Sequence, residues 1–485
     1  MSKPIVFAPK STGSSEPRDV RDRFADFINL KDFGAVGDGV TNDTTAWRAW
    51  QTAIKNGGMA YAPKGDYLID NEILHIPNGY IGNKFYTPTY NETDTGDIIN
   101  DSSYVVYVDF DNGDDSNSGM TENDAVKTIT KAASLIKSFS LHANSNRYGD
   151  GYFENLPIMV LAGTTYNENV LLSNIQCVLL FKGDVVINGK IWVNKGSVIN
   201  FYQDSHTLTI ISNNLYENFG ISESCAAFTG EVILSGSNIT NSIRVIQHGY
   251  VVFLGNVTFN VSNSSRYIEI NLFARATFEK KITLTGSNCT NAIVSEYFAF
   301  CEIRQGIEIT SPLTSHCICA YRFGGILIHG NVIVRSNGGN MLRSDNCGYI
   351  ACDTFTDSQF YRETGNNSTL FYCSGNSYLA VSNGSSGKIT MSMGEGSSSD
   401  SMFYTVDNSV GGINTQTLII SGGCHCVLWS RFESYIYFRA VTISGSLTGM
   451  KYASTDLSII NSNGLGENGM PGSTSGVTER GGIFM

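Results

Sequence analysis

The chain has 485 residues, of which 41% are hydrophobic, and its formal net charge is −12 at pH 7. The negative charge excludes a general attraction to nucleic acid or to an anionic membrane surface, and no run of 18 apolar residues predicts membrane insertion. Fifty glycines, nine prolines, 24 tyrosines and 26 phenylalanines favour many short strands joined by tight turns. We therefore expect a mostly β protein whose partners include neither nucleic acid nor membrane.

The 11 cysteines are an odd number, and several lie among apolar residues without the spacing of a disulfide framework. We interpret them as reduced, small core residues. Cys424 and Cys426 flank a histidine, but a second pair of ligands with zinc-site spacing is missing, so we predict no metal there. The polar start MSKPIVFAPKSTGSSEPRD lacks the apolar stretch of a secretory signal, which predicts folding in a cytoplasm.

The segment EPRDVRDRFADFINL, within residues 1–30, is predicted to form a short helix. Val20, Phe24 and Phe27 fall on one face of that helix, an arrangement that could join three chains. The residues before it are too few for a separate folded domain.

Residues 31–70 are predicted to form a glycine turn, a helix and two strands. Turn and N-cap residues come first, at Asp38, Gly39, Asn42 and Asp43. Residues at helical spacing follow on one face, at Trp47, Trp50 and Ile54. Strands are predicted at 59–62 and 67–70, separated by a Pro-Lys-Gly turn.

The stretch INLKDFGAVGDGVTNDTTAW…GGMAYAPKGDYLI resembles the N-terminal signature of the pectate-lyase-like right-handed parallel β-helix family. That family is widespread in bacteriophage tailspikes and tail-fibre depolymerases. The resemblance depends on the order of parts: DFGAxGDGxTND, a helix, a glycine pair, a hydrophobic strand and P-x-G-x-Y. The chain departs from the pattern at Trp47 and Trp50, where the family usually has alanine or isoleucine, which should alter packing and not topology.

The resemblance implies a homotrimeric phage tailspike or tail-fibre subunit, carried on the virion and folded in the host cytoplasm. Its exterior would bind and depolymerise a bacterial surface polysaccharide, either capsule or O-antigen. Residues 1–30 would be the neck helix and the anchor to another phage tail protein. Residues 31–103 would form the cap of the β-helix and a linker.

A second stretch, YVDFDNGDDSNSGMTENDAVKTITKAASLI, looks like the strand, loop and capping helix that begin many right-handed β-helices. The apolar stripe of the helix would consist of Val126, Ile129, Ala133 and Ile136. Four loop carboxylates could hold calcium, at Asp109, Asp111, Asp114 and Asp115. Because the glutamate that completes an EF-hand is missing, we favour an Asp/Gly-rich turn and expect no cofactor.

Apolar residues recur with a period of 25 in the middle of the chain. The first row is Phe228, Phe253, Phe278, Ile303 and Ile328, and a second row four residues later is Val232, Val257, Ile282, Ile307 and Val332. The segments FTGEVILSGSN, FLGNVTFNVSN and FEKKITLTGSN alternate apolar and polar residues and end in asparagine. The repeat predicts an all-β fold, a parallel β-helix of about 25 residues per coil over 104–460, and the family resemblance implies that this β-helix is right-handed. Residues 461–485 are predicted to be a glycine-rich tail.

Outward positions of such a solenoid are where chemistry would lie, because inward positions fill the core. One period beyond Glu279 lies Arg304, followed one period later by His329, so these side chains should form an outward column. On another strand Arg244 should lie beside Glu269, one coil away.

Two pairs of outward carboxylates are candidate catalytic groups: Glu269 with Glu296, and Glu279 with Glu302. The first pair is offset by one coil plus two residues and the second by one coil minus two, which places the backbones of each pair about 8 Å apart, within the range of inverting glycosidases. Either pair could act as general acid and general base. A solvated ladder of opposite charges explains Glu279 and Arg304 equally well.

The candidate substrate-binding residues carry rings or charges that can hold sugars: Arg244, Arg304, His329, Tyr297, Tyr321 and Trp429. Strand aromatics also serve as core residues, which is the competing interpretation. We favour glycoside hydrolysis. The alternatives are a lyase on a uronic-acid polymer, with His329 as base and Arg304 or Lys281 as stabilising cation, or a non-catalytic receptor-binding fibre.

Overall fold

The computed structural model describes residues 27–55, 59–63, 65–69, 72–76, 80–82, 104–140, 156–310, 313–336, 339–353, 357–362, 369–382, 387–393 and 401–485. The chain divides into two compact units, Met1–Val105 and Val106–Met485. Within the described ranges, every helix is too short or too polar to cross a membrane.

In its described residues, the first unit contains two three-stranded sheets and one α-helix. Its elements are β1 (Phe27–Asn29), a 3-10 helix (Leu30–Phe33), β2 (Asp38–Asn42), α1 (Thr44–Lys55), β3 (Met59–Ala62), β4 (Gly65–Ile69), β5 (Glu72–Ile76) and β6 (Tyr80–Gly82). The strand orders are β1-β3-β6 and β2-β4-β5. The predicted helix and both predicted strands are confirmed; Asp70 and the side chain of Ile54 lie outside the described part.

The core of this unit forms around two tryptophans. Trp47 and Trp50 are fully buried, with ring centroids 5.1 Å apart, and they share a cluster with Leu30 and Tyr67. The buried carboxylate of Asp43 accepts N–H groups from the preceding glycine turn, at 2.7 and 3.1 Å. The turn and the helix start are therefore tied together by one side chain.

Most of the predicted neck helix, with Val20 and Phe24, lies outside the described residues, as do residues 83–103 of the predicted linker. The helical prediction is wrong for Phe27, which begins β1 and aligns with Met59 of β3. Backbone pairing in a sheet takes precedence there over the helical spacing of the apolar residues.

The second unit is a parallel β-solenoid of about 14 turns. Its helical elements are a 3-10 helix (Glu122–Asp124), α2 (Ile129–Ser140) and α3 (Gly466–Gly469). Its strands are β7 (Val105–Val108), β8 (Ile158–Leu161), β9 (Thr165–Tyr166), β10 (Val170–Ser173), β11 (Gln176–Phe181), β12 (Val185–Asn188), β13 (Ile191–Asn194), β14 (Val198–Tyr202), β15 (Leu208–Asn213), β16 (Glu217–Ser222), β17 (Cys225–Phe228), β18 (Val232–Ser237), β19 (Asn241–Ile246), β20 (Tyr250–Phe253), β21 (Val257–Ser262), β22 (Arg266–Asn271), β23 (Arg275–Phe278), β24 (Ile282–Leu284), β25 (Asn291–Glu296), β26 (Phe300–Ile303), β27 (Ile307–Ile309), β28 (Ile318–Tyr321), β29 (Gly325–His329), β30 (Val332–Ser336), β31 (Leu342–Asp345), β32 (Tyr349–Asp353), β33 (Asp357–Arg362), β34 (Phe371–Cys373), β35 (Tyr378–Ser382), β36 (Lys388–Ser392), β37 (Ser401–Thr405), β38 (Val410–Ser430), β39 (Tyr435–Thr455), β40 (Ile459–Asn461), β41 (Val477–Glu479) and β42 (Ile483–Phe484).

Each coil contributes one strand to each of three sheets, because a strand pairs in parallel with the third strand after it. Sheet 1 contains β8, β11 and β14, sheet 2 contains β9, β12 and β15, and sheet 3 contains β10, β13 and β16; all three continue in the same steps. The long strands β38 and β39 each follow a whole coil and contribute to all three sheets.

The predicted inward row is confirmed. The register aligns Phe228 with Phe253 and Phe253 with Phe278, and the rings stack with centroids 4.8 and 4.9 Å apart. All three side chains are at most 1% exposed. Elsewhere the coil length differs, with 27 residues from Phe201 to Phe228. The solenoid therefore keeps its stacking while loops between strands change in length.

Helix α2 packs on the N-terminal end of the solenoid. Its predicted stripe is buried at Ile129, Ala133 and Ile136, whereas Val126, also buried, precedes the helix and forms a parallel bridge with Val108. The carboxylate of Glu168 accepts the N–H groups of Ile129 and Thr130 at 2.7 and 3.1 Å, which satisfies donors in the first turn of the helix.

The acidic loop before α2 uses its carboxylates as turn acceptors. Asp109 accepts the N–H groups of Asp111 and Asn112, and Asp115 accepts those of Lys127 and Thr128. In the described residues no group of three or more His, Cys, Asp or Glu is placed to hold a metal. Asp114 also accepts the backbone N–H of Ser116, at 2.8 Å. These contacts support the predicted Asp/Gly-rich turn.

The cysteines are reduced, as predicted. All 11 are free and most are buried. Burial raises the pKa of Cys319 and of Cys352 to about 12, so both thiols stay protonated at neutral pH. They act as small core side chains.

The asparagines that end the repeated segments lie at the turn between sheets 2 and 3. Asn238, Asn263 and Asn288 have φ values of 56°, 54° and 55°, in the left-handed region that asparagine tolerates. Their side chains form a ladder: Asn263 donates to Asn238 at 3.4 Å, and Asn288 donates to Asn263 at 3.2 Å.

Strand pairing continues beyond residue 460. Within the segment predicted as a tail, β41 pairs with β39 and β42 pairs with β40, both in parallel. Ser462 donates its backbone N–H to the carbonyl oxygen of Met485 at 2.6 Å. The C-terminal residues therefore form the last strands of the ladder, despite their high glycine content.

The phenylalanine row allows a test of the stacking. The variant Phe253→Ala lacks a ring that is buried between two others. We expect it to lose about 3–5 kcal/mol in the free energy of unfolding. The adjacent Leu254 is 42% exposed, and Leu254→Ala should cost less than about 1 kcal/mol. Denaturant unfolding of both variants is the measurement, and equal losses would contradict the stacked row.

Candidate functional site on the outer face of sheet 3

The outer face of sheet 3 consists of the outward side chains of β19, β22, β25, β28, β31, β34 and β37 and the end of β38. The register aligns Arg244 with Glu269, as the sequence predicted. It also aligns Asn271 with Glu296, and Glu296 with Tyr321. The alternation of β22 places these side chains outside while its isoleucines fill the core.

A chain of ion pairs crosses this face. The Nη1 atom of Arg266 lies 2.7 Å from Glu269 Oε1 and 3.4 Å from Glu296 Oε1. Arg244 reaches Glu269 at 3.2 Å, and Arg322 reaches Glu296 at 3.5 Å. The side chains of Glu269 and Glu296 are only 9% and 12% exposed, so these contacts are shielded from solvent.

The shared guanidinium brings the two carboxylates close together. Because one nitrogen lies within 3.4 Å of both Glu269 and Glu296, their nearest oxygens are at most about 6 Å apart. A glycosidic oxygen would have to take the place of the Arg266 guanidinium before both carboxylates could reach it. The proposed catalytic roles of this pair stay a prediction.

The other predicted carboxylate pair lies on a different face. Glu279 follows β23 and Glu302 is in β26, both on sheet 1, and the column Glu279, Arg304, His329 has the predicted register. Arg304 lies 2.9 Å from Glu279 and 3.2 Å from Glu302. Arg304 and His329 are therefore separated from the ion-pair chain of sheet 3.

Glu302 is ionised at neutral pH. Its partial burial favours the neutral acid, but hydrogen bonds and charges from Arg304 and Arg275 outweigh that effect and hold the pKa of Glu302 below its usual value. Arg275 approaches the carboxylate to 2.9 Å. Such a carboxylate is suited to act as a base or an electrostatic partner and not as a general acid.

Sequence reasoning named Tyr321 on the sheet 3 face but missed the group of side chains to which it belongs. The guanidinium of Arg343 lies between two rings, with its carbon 5.5 Å from the centroid of Tyr321 and 5.2 Å from that of Tyr372. Its Nη2 is 3.0 Å from Asp345 Oδ2, and its Nη1 is 2.7 Å from Nε2 of His316. We call these five residues the histidine–arginine group.

His316 is neutral in this group. Burial and, after it, the charge of Arg343 lower the pKa of His316 to about 4. The backbone N–H of Asn340 donates to Nδ1 at 2.9 Å, while Arg343 approaches Nε2. A neutral imidazole has one acceptor nitrogen, so the ring cannot accept from both donors. The ring therefore accepts from at most one of these two donors.

Aromatic rings continue the same column toward the C-terminus. Tyr372 aligns with Tyr404, and Tyr404 aligns with Trp429. The ring centroids are 5.6 Å apart in the first pair and 5.0 Å apart in the second, and Arg431 lies over Trp429 at 5.7 Å. The predicted binding residue Trp429 is therefore the end of a row of half-buried rings.

Tyr297 lies in the turn that follows β25 and is 37% exposed. Its hydroxyl contacts Arg322, whose guanidinium carbon lies 4.8 Å from the ring centroid. Tyr321 is half-buried, and burial raises the pKa of its hydroxyl, so it stays protonated and can donate a hydrogen bond. Both predicted tyrosines thus lie beside the ion-pair chain.

Comparison with known protein families gives a match for the N-terminal part of the chain. Residues 27–136 match the family model described as rhamnogalacturonase A/epimerase, pectate lyase-like, and this range includes both N-terminal stretches that carried the resemblance. No curated protein and no solved structure matches the chain. The family match and the solenoid together support a right-handed β-helix of the pectate-lyase-like kind, and they indicate a polysaccharide-acting protein.

The neutral state of His316 predicts a pH dependence of stability. The unfolded chain binds a proton at this histidine near pH 6.5. The folded chain binds it only near pH 4. In that window the unfolded state holds more protons, so stability rises with pH and falls on acidification. The variant His316→Gln should lose less stability between about pH 7 and about pH 5 than the wild type. Denaturant midpoints at both pH values measure this, and an undiminished loss in the variant would contradict the assignment.

Proposed function

We propose that this chain is a subunit of a phage tailspike that binds a bacterial capsule or O-antigen polysaccharide along the outer face of sheet 3 and cleaves it. The observation that supports this most is the continuous row of outward groups through successive coils, from the ion-pair chain through the histidine–arginine group to the ring of Trp429. A linear polymer lying along the solenoid axis would meet a new side chain at every coil.

The types of side chain fit a sugar polymer. The rings of Tyr404 and Trp429 offer apolar surface for the C–H face of a sugar, and arginines and carboxylates offer hydrogen bonds to its hydroxyls. In addition, the buried Nε atom of Arg343 has no hydrogen-bond partner among the described residues. A sugar oxygen would satisfy that donor.

Hydrolysis at this face would use Glu269 and Glu296. One carboxyl would protonate the glycosidic oxygen while the other assists water or attacks the anomeric carbon. Binding of the polymer would first have to move Arg266 from between them. The Arg–Glu contacts keep both carboxylates in fixed positions near the substrate path.

Elimination is the second candidate, and the neutral His316 favours it. An unprotonated imidazole can remove the proton at C5 of a uronic acid once the donor that now faces its acceptor nitrogen has turned away, and Arg343, turned from Nε2 toward the substrate, would stabilise the enolate. The C5–H electrons then form the C4–C5 double bond, and the C4–O bond breaks with its electron pair going to the leaving oxygen, which takes up a proton. This assignment places the base at His316, where the sequence had suggested His329.

The remaining expectations are parts of the same proposal. The tailspike would be a homotrimer, attached to another phage tail protein through residues 1–30 and carried on the virion. The phage origin is supported by the order of motifs in residues 28–69 alone. Arg304 and His329 lie on sheet 1, so a polymer bound to sheet 3 would not meet them in the same chain.

The carboxylate roles can be tested on polysaccharide from candidate hosts. We expect Glu269→Gln and Glu296→Gln each to lower the rate of fragment release at least about 100-fold, since each removes an acid–base group. The matched control is Glu308→Gln, on sheet 2, whose carboxylate pairs with Lys281 at 2.5 Å. Wild-type rates in both sheet 3 variants, or an equal loss in the control, would refute hydrolysis by this pair.

The products separate the two chemistries. Elimination creates an unsaturated sugar that absorbs in the near ultraviolet, whereas hydrolysis creates a new reducing end without it. If elimination is correct, His316→Gln abolishes the absorbance change, and Glu308→Gln leaves it at the wild-type rate. If every host polysaccharide that the protein binds stays intact, both enzyme assignments are refuted. The protein would then be a receptor-binding fibre without catalysis.

The aromatic row predicts a loss of affinity. Removing one stacking ring costs about 0.5–1.5 kcal/mol, so Trp429→Ala should weaken binding of a host polysaccharide up to about tenfold. The control is Tyr378→Ala, which removes a ring that is 39% exposed on sheet 1. Affinity electrophoresis of the two variants against the same polymer gives the comparison, and a larger loss for Tyr378→Ala would place the binding face on sheet 1.

A further inference from the structure

A row of exposed aromatic rings runs along the turn between sheets 3 and 1. His248, Phe273, Phe298 and Phe323 stack face to face, with centroids 5.3, 5.2 and 4.7 Å apart and interplanar angles of 4°, 3° and 3°. The three phenylalanines are 56%, 54% and 54% exposed. We call these four residues the aromatic ridge.

The turn itself does not require these rings. The ridge residues have φ values of 63°, 62°, 62° and 68°, a left-handed conformation that costs a residue with a bulky side chain roughly 1–2 kcal/mol. In later coils the same turn position holds Asn376 and Asn408, with φ values of 59° and 57°. Their side chains form their own ladder, with Asn408 donating to Asn376 at 2.8 Å. Asparagine closes the same turn with less strain.

Stacking within the ridge does not explain the exposed surface. A stacked pair gains about 0.5–1.5 kcal/mol, which roughly offsets the backbone strain of one residue. More than half of each phenylalanine still faces water. Leu272, Tyr250 and Tyr297 extend the apolar surface at 39%, 37% and 37% exposure. A contiguous apolar patch of this kind usually marks a contact surface.

We propose that the aromatic ridge is the contact surface for a second copy of this chain. Two arginines beside the ridge are paired within the chain, Arg275 with Glu302 at 2.9 Å and Arg322 with Glu296 at 3.5 Å. These pairs bring no net charge to a contact between like surfaces, although the whole chain carries −12. The same negative charge disfavours an anionic membrane as the occupant. A sugar is disfavoured because stacking hides the ring faces it would need.

The spacing and the area both suit a copy of the same chain. The rings repeat once per coil, so a second solenoid with a parallel axis presents the same spacing and the two rows can interlock along their length. An aromatic side chain has about 150–250 Å² of surface, so the ridge and its three apolar neighbours expose on the order of 600 Å². That approaches the roughly 800 Å² that each partner contributes to a stable interface.

The test compares oligomeric states of the full chain. Light scattering coupled to size exclusion should give a multiple of the 52.7 kDa chain mass for the wild type. Phe298→Asn and the double variant Phe273→Asn with Phe298→Asn should weaken association at least tenfold, measured by sedimentation across a concentration series. Asparagine suits the left-handed turn. The dissociated chains of both variants should therefore be as stable to heat as a single wild-type chain.

The matched control is Phe432→Asn. Phe432 is 44% exposed and has a φ of 52°, but it lies in a coil beyond the ridge. This variant should associate like the wild type. Phe323→Asn gives a second ridge variant in case Phe298→Asn does not fold. A wild-type chain that is monomeric at all concentrations, or folded ridge variants that keep the wild-type mass, would overturn the proposal.

This inference supplies a contact surface for the trimer proposed above, but it does not depend on cleavage. Polysaccharide binding measured on the same ridge variants separates the two proposals. Variants that dissociate and still bind polymer would support the ridge as an interface and leave the binding face on sheet 3 of the single chain. A wild type that associates while its ridge variants dissociate, and that binds no host polymer, would support the ridge and refute the proposed function.

Discussion

The parallel hydrogen-bonded register between successive coils is the constraint on which the rest of this structure depends. It places each side chain over the one at the equivalent position of the previous coil, at the spacing of neighbouring strands. Inside, this stacks Phe228, Phe253 and Phe278 in a dry row. At one turn it aligns asparagine amides into a ladder, and at another it stacks the rings of the aromatic ridge.

The same register determines the chemistry of the exterior. Each of two arginines contacts one carboxylate on its own coil and one on a neighbouring coil: Arg266 contacts Glu269 and Glu296, and Arg304 contacts Glu302 and Glu279. Each arginine holds a pair of carboxylates in place and occupies the space between them. The two pairs lie on different sheets, so they belong to different surfaces of the molecule. A polymer along sheet 3 would meet one pair, the histidine–arginine group and the aromatic row in succession.

Uneven coil lengths explain why part of the candidate site was not found from the sequence. The 25-residue period correctly related Arg244 to Glu269 and Glu279 to Arg304. From Arg343 to Tyr372 the step is 29 residues, and from Tyr372 to Tyr404 it is 32. A fixed period therefore misses this column, although its members lie on neighbouring strands. Loops between strands absorb the extra residues, and a loop can lengthen at little cost to the ladder.

The sequence by itself determined the all-β solenoid, the coil of about 25 residues, the inward rows and which residues face outward, because an alternating pattern repeated at a fixed period admits one register. Only the tertiary structure decided which outward groups touch. It inserted Arg266 between two carboxylates, surrounded His316 so that it stays neutral, and extended the ladder through the glycine-rich C-terminal residues. The physical reason is that periodicity sets backbone positions, whereas burial, ion pairing and pKa depend on the side chains that neighbouring coils bring together.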